Sequence, residues 1–143
     1  MTDRPGRALG IDFGSRRIGI AISDDEQRVA TPLQVLDGRD IQTAVRQIAD
    51  LVEEWEVVIL VVGMPLHLKG TAGAAAAAVE RQIAALGATL DTPIFTYDER
   101  LTTVTAHRSL DEQQVSSRNR KDMVDMVAAA VILQGWMEQK TND

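Results

Sequence analysis

Residues 8–23 read Ala8-Leu9-Gly10-Ile11-Asp12-Phe13-Gly14-Ser15-Arg16-Arg17-Ile18-Gly19-Ile20-Ala21-Ile22-Ser23. Two apolar runs, 8–13 and 18–23, flank the polar turn Gly14–Arg17, which is the pattern of an antiparallel hairpin. In the second run Ile18, Ile20 and Ile22 share one face, and Gly19, Ala21 and Ser23 share the other. A face of small residues lets another element approach the backbone closely. Asp12 interrupts the first run. A carboxylate in a buried strand is costly unless a metal ion, a cationic ligand or a hydrogen-bond network meets it.

Working outward, Arg28–Leu36 reads as a third strand, with Pro32 favouring a sheet edge. Asp40 is a suitable N-cap for a helix over 41–55, where Ile41, Ala44, Val45, Ile48, Leu51, Val52 and Trp55 follow helical spacing. Val57–Val62 is apolar without alternation, as expected of a central strand covered on both faces. A loop over 63–71 leads to an Ala-rich helix over 72–86 that Gly87 is expected to end. Residues 93–97 form a further strand that runs into Asp98-Glu99. A short helix over 102–110, a polar loop over 111–120 and a last helix over 121–138 complete the chain. The order βββαβαβα predicts an α/β fold with a mixed five-stranded sheet and helices on both faces.

The 143 residues suit one domain, 1–143, with a single core, and 45% hydrophobic content argues for a packed globule rather than disorder. No run approaches the roughly 20 apolar residues of a membrane span. Cysteine is absent, which excludes a disulfide framework and thiolate metal sites. With no signal-like segment after Met1, a cytoplasmic location is expected. The net charge of −6 disfavours a non-specific nucleic-acid coat. Local charge runs the other way: from Arg100 to Lys121 five basic residues face two acidic ones.

Three acidic stations are spread along this order: Asp12 on the first strand, Glu99 at the end of the last, and Asp125 on the final helix. Positions 122, 125, 129, 132 and 136 share a helix face, so Asp125 adjoins an apolar stripe and is expected to be half-buried. Asp122 reads as a surface acid near a helix start. With the first strand central and the final helix crossing the same face, the three carboxylates can meet. That is the layout of the ribonuclease H-like fold, whose carboxylates converge on two divalent cations. Mg²⁺ or Mn²⁺ takes oxygen ligands. Two such ions about 4 Å apart activate a water and stabilise a leaving oxygen in phosphodiester hydrolysis.

Several segments resemble the YqgF/RuvX family in order and over essentially the whole chain. They are Gly10–Asp24, Ala30-Thr31-Pro32-Leu33, Val62-Gly63-Met64-Pro65-Leu66 with Gly70-Thr71, Asp98-Glu99-Arg100-Leu101-Thr102-Thr103, and Asp125–Gln134. The resemblance implies a ribonuclease H-like nuclease related to Holliday-junction resolvases and assigned to the 5′ end of pre-16S ribosomal RNA. It places the family's acids at Asp12, Glu99 and Asp125 as catalytic residues and metal ligands. It also implies products with 5′-phosphate and 3′-hydroxyl ends. The segment departs from the family at Lys69, where a polar or acidic residue is common, which favours phosphate contact there over catalysis.

Arg16, Arg17, Lys69, Arg100, Arg118, Arg120 and Lys121 are candidates for holding a nucleic-acid backbone. His67 and His107 read as structural or solvent-facing. Aromatic residues are only 3% of the chain, so recognition by strand shape is expected rather than base stacking. The expected partner is RNA, with structured DNA as the alternative, and the expected state is a monomer or weak homodimer. Two competing functions remain open at this point: a four-way DNA junction resolvase, which needs a dimer, and a non-catalytic nucleic-acid-binding factor in transcription or ribosome assembly. A sugar-kinase-like ATPase, which also opens on Gly-Ile-Asp-x-Gly, would need a second domain and a second phosphate loop.

Overall fold

The hairpin forms as its alternation dictates. Strands β1 (Arg7–Phe13) and β2 (Arg17–Ser23) pair antiparallel, with Asp12 opposite Gly19. The computed structural model describes residues 4–14, 16–65, 73–99 and 118–142, and in the last segment the side chains of 122–140. Strand β3 (Ala30–Asp37) lies antiparallel beyond β2. On the other side of β1, β4 (Val57–Met64) runs parallel to it, and β5 (Ile94–Asp98) runs parallel to β4. The five-stranded order β3-β2-β1-β4-β5 makes β1 central. Pro32 falls on edge strand β3, where a missing N–H breaks no inner ladder.

Helix α1 (Ile41–Glu54) starts at Asp40, whose side chain accepts the N–H groups of Gln42 and Thr43 at 3.1 and 3.4 Å. Its apolar stripe of Ala44, Val45, Ile48 and Leu51 packs with Val79 and Leu86 of helix α2 (Ala74–Thr89) over Leu9, Ile11, Ile18, Ile20, Leu60 and Val62. The opposite sheet face carries small residues and receives helix α3 (Arg118–Asn142), through Ala128, Ala129, Ile132, Leu133 and Met137 against Ala8, Ala21, Val61 and Tyr97. Glycines set how near α3 comes. A Cβ on Gly10 would lie 2.8 Å from Leu133 Cβ and 2.9 Å from the Ala129 carbonyl oxygen, and one on Gly19 would overlap the Asp125 carbonyl oxygen. The small face of the hairpin is therefore the seat of α3. Far from the hairpin turn, Gln134 fastens the helix to β3: its Oε1 accepts the Ala30 N–H at 2.9 Å, and its Nε2 donates to the Arg28 carbonyl at 2.9 Å.

The structure corrects the boundaries of three elements. Helix α2 does not stop at Gly87 but continues to Thr89, and the Leu90 N–H closes it on the Leu86 carbonyl. Gly87 faces open space, so nothing there requires a turn, while buried Leu86 anchors the last turn. Helix α3 begins at Arg118 rather than at 121 and runs to Asn142 rather than 138. Strand β4 extends through Gly63 to Met64, two residues past the expected run, and Val58 near its start is exposed rather than covered. The expected helix over 102–110 and most of the loop after it lie outside the described residues. No helix among the described residues is long and apolar enough to cross a membrane.

Candidate metal and nucleic-acid site

Asp12 lies one residue from the end of central strand β1 and is only 3% exposed. Ala8 and Gly10 of the same strand touch α3, so strand alternation turns Asp12 to that face too. Its neighbours across the two ladders are both glycines. Gly19 pairs with it on β2, and Gly63 follows Val62, the partner of Ile11, on β4. Each glycine is the floor beneath an acidic residue.

On the β4 side that residue is Glu99, immediately after β5. A Cβ on Gly63 would lie 2.9 Å from Glu99 Oε1 and 3.3 Å from its Cγ. The Glu99 side chain thus reaches from β5 across β4 toward β1, and adjacent strands are only about 4.8 Å apart. Burial raises the Glu99 pKa above the ordinary carboxylate range, and the nearby charge of Asp98 raises it further. On the β2 side the residue is Asp125, whose main-chain carbonyl rests on Gly19. Its side chain is 17% exposed, so the half-buried position expected from helix spacing is observed. Its Oδ2 accepts a hydrogen bond from Arg17 Nε at 2.6 Å. Asp122 Oδ1 lies 3.9 Å from the same nitrogen and stays at the surface side of the helix.

Gly63 is the residue that sequence reasoning passed over. It reads as a loop start, yet it is a strand position whose missing side chain makes room for Glu99. The signal was present: Gly63 directly follows the most apolar run of the chain. Asp24, within the hairpin motif, has a local role. Its Oδ1 accepts the Arg28 and Val29 N–H groups at 2.7 and 2.9 Å, and the Val29 bond is the main reason its pKa is lowered.

The basic candidates divide. Arg16 is exposed at the hairpin turn, beside the site. Arg17 is bound to Asp125 in the structure. Residues 118, 120 and 121 lie in the first turns of α3, ahead of Asp125, so their backbone is within about 10 Å of it along the helix. Lys69 and Arg100, like His67 and His107, lie outside the described residues.

Among the described residues no three His, Cys, Asp or Glu side chains stand close enough together to hold a metal ion. The donor set itself suits a hard divalent cation, because it consists of carboxylate oxygens. Asp12 on β1 and Glu99, just past the end of β5, stand on either side of β4, and the space above Gly63 of β4 is shaped for the Glu99 carboxylate. Asp125 lies on the other side of Asp12, its main chain over Gly19 and its carboxylate on Arg17. In their donor chemistry the residues present fit such an ion.

Comparisons with known proteins place the chain among nucleases and resolvases by similarity. A family model described as "RuvX: Holliday junction resolvase" matches residues 6–139. A protein of Chloroflexus aggregans named "Putative pre-16S rRNA nuclease" is 44% identical over 134 residues, which are 94% of each chain. Relatives of the same name in Roseiflexus and Mycolicibacterium smegmatis are 38% and 44% identical. They cover 98% of this chain and 99% and 89% of their own lengths. Among solved structures, Thermus thermophilus RuvC in complex with a Holliday junction substrate superposes with a TM-score of 0.62 at 12% identity, covering 94% of this chain and 95% of that one. The yeast mitochondrial Holliday junction resolvase gives 0.56 at 14% identity, over 96% and 80% of the two chains. At such identities these structures establish the shared resolvase-like, ribonuclease H-type fold.

Proposed function

As the chain belongs to the RuvX family, we propose that it is a nuclease that hydrolyses phosphodiester bonds with the help of divalent cations, in maturation of the 5′ end of pre-16S ribosomal RNA in the cytoplasm. One observation carries the reading. Asp12, buried on the central strand, is flanked by two glycines that seat Glu99 on one side and the Asp125 turn of α3 on the other. A fold that spends two glycines on bringing acids together over a third acid is built for cationic chemistry rather than for packing.

Asp12, Glu99 and Asp125 would hold one or two Mg²⁺ or Mn²⁺ ions, which when bound supply an activated water and charge neutralisation at the departing oxygen. The chain's own residues do the rest. Asp12 pairs with Gly19 on β2 and follows Ile11, which pairs with Val62 on β4, so the backbone that carries its carboxylate is held within the sheet. Glu99 is held in a desolvated position, where its interaction with a cation is stronger than in water. Arg16, exposed at the hairpin turn, would hold a backbone phosphate, and positions 118, 120 and 121 open the helix that carries Asp125. Such contacts make binding steeply salt-dependent.

The description of the family model favours a second reading, cleavage of four-way DNA junctions. The two are separated by offering the purified protein a pre-16S 5′ fragment, an unrelated single-stranded RNA and a four-way DNA junction, each with Mn²⁺ and with chelator. The proposal expects Mn²⁺-dependent cleavage of the ribosomal fragment with 5′-phosphate products. Cleavage confined to the junction overturns the RNA assignment. Binding without cleavage of any substrate overturns the nuclease and leaves a nucleic-acid-binding factor.

A further inference from the structure

Arg17 sits where a metal site should have no use for it. It starts β2 and, by alternation, faces α3 together with Gly19, the residue opposite Asp12. Its Nε donates to Asp125 Oδ2 at 2.6 Å, the length of a strong charge-assisted hydrogen bond, with Asp122 Oδ1 at 3.9 Å as a second acid. The Arg17 side chain is 37% exposed and the Asp125 side chain 17% exposed, so the contact is partly shielded from water. Asp125 and Asp122 both lie within 4 Å of the Arg17 Nε, and two carboxylates so near each other repel without a cation between them. An arginine on Asp125 supplies one.

We propose that Arg17 is an internal counter-cation for Asp125, a positioning residue that occupies this carboxylate in the ion-free protein and that the divalent cation displaces. This rests on the reading of Asp125 as a metal ligand. A guanidinium and a divalent ion compete for the same oxygens and repel each other. Arg17 therefore weakens cation binding to the protein alone and holds α3 in register on Gly19 until the ion arrives. Released, its fork of donors stands at the hairpin turn next to exposed Arg16.

The test is Mn²⁺ binding to the full chain without nucleic acid, by calorimetry, in wild type, Arg17→Gln, Asp125→Asn and the double variant, with folding checked by thermal melts. Competition predicts that Arg17→Gln binds Mn²⁺ roughly two- to tenfold more tightly than wild type, the range of a partly exposed ion pair. It also predicts that the same substitution changes binding less than about twofold when Asp125 is already Asn, since the pair is then absent. Arg17→Lys, which keeps the charge but loses the planar fork, is expected to fall between wild type and Arg17→Gln, and replaces the latter if that variant does not fold. Unchanged or weaker Mn²⁺ binding in Arg17→Gln makes Arg17 a mere fastener of α3 and overturns the proposal. So does equal tightening in the Asp125→Asn background. If wild type binds Mn²⁺ but Asp125→Asn binds it equally well, the assignment of Asp125 as a ligand fails first, and the proposal with it.

Discussion

Gly63→Ala isolates the geometry of the site from its chemistry, because it removes no charge and no hydrogen-bonding group. The added Cβ would stand 2.9 Å from Glu99 Oε1 and 2.5 Å from Ile132 Cδ1, where ordinary contact begins at 3.4 Å. Relief therefore needs the Glu99 carboxylate to move by about 0.5 Å and the Ile132 methyl by about 0.9 Å. Both are the free ends of side chains, so the backbone need not shift. The fold should lose only about 1 kcal/mol, at the low end of overpacking costs, seen as a fall in Tm of about 4 °C. Catalysis is less forgiving, since site groups must be held within about 0.5 Å of productive geometry and a 1 Å misplacement costs about a hundredfold. Single-turnover cleavage in Mn²⁺ should accordingly drop about 10- to 100-fold in a protein that still folds. Wild-type cleavage by Gly63→Ala would refute the idea that Gly63 exists to seat Glu99. A collapse of stability with no folded protein would show that the strand, not the carboxylate, needs the glycine.

Glu99→Gln should change the pH dependence of stability in the ion-free protein. Burial raises the Glu99 pKa in the folded state above its ordinary 4.5, so the folded state holds the proton more tightly than the unfolded chain. That contribution is complete below 4.5 and is lost as pH rises through the raised value. Urea melts in chelator at acidic and neutral pH should show Glu99→Gln gaining stability relative to wild type as pH rises, and parallel profiles would contradict the burial. Gln134→Ala removes the two hydrogen bonds from α3 to Ala30 and Arg28. It should cost about 1–2 kcal/mol in chemical denaturation and loosen β3, where hydrogen exchange at the Ala30 amide should speed up; an unchanged exchange rate there would remove this clamp from the account.

Much of this architecture is written in short-range pattern. The alternation of isoleucines against Gly19, Ala21 and Ser23 foretold both the hairpin and the face that α3 occupies. Asp12 was visible because its charge contradicts its setting, and Asp125 because helical spacing puts it beside Ala129 and Ile132. What escaped depends on partners distant in sequence. Gly87 looks like a helix stop in isolation, but its cost of about 1 kcal/mol is overridden by the packing of Leu86. Gly63 looks like a loop residue until β5 places Glu99 above it. Arg17 reads only as a candidate phosphate contact in the sequence, because its hydrogen bond to Asp125, more than a hundred residues later, is made by the fold. Phe95 and Trp136 are also joined only by the fold, as a tilted ring pair 5.6 Å apart at the β5 edge.

The proposed chemistry turns on the carboxylate of Asp12, and Asp12→Asn tests it with the least disturbance of shape. The measurement is the Mn²⁺-dependent cleavage rate of a pre-16S 5′ RNA fragment by wild type and by Asp12→Asn protein, with matching thermal melts as proof of folding. The expected result is a folded variant whose cleavage is slower by at least about a hundredfold, the scale of losing a central electrostatic group from an active site. Equal cleavage by the folded variant would contradict it.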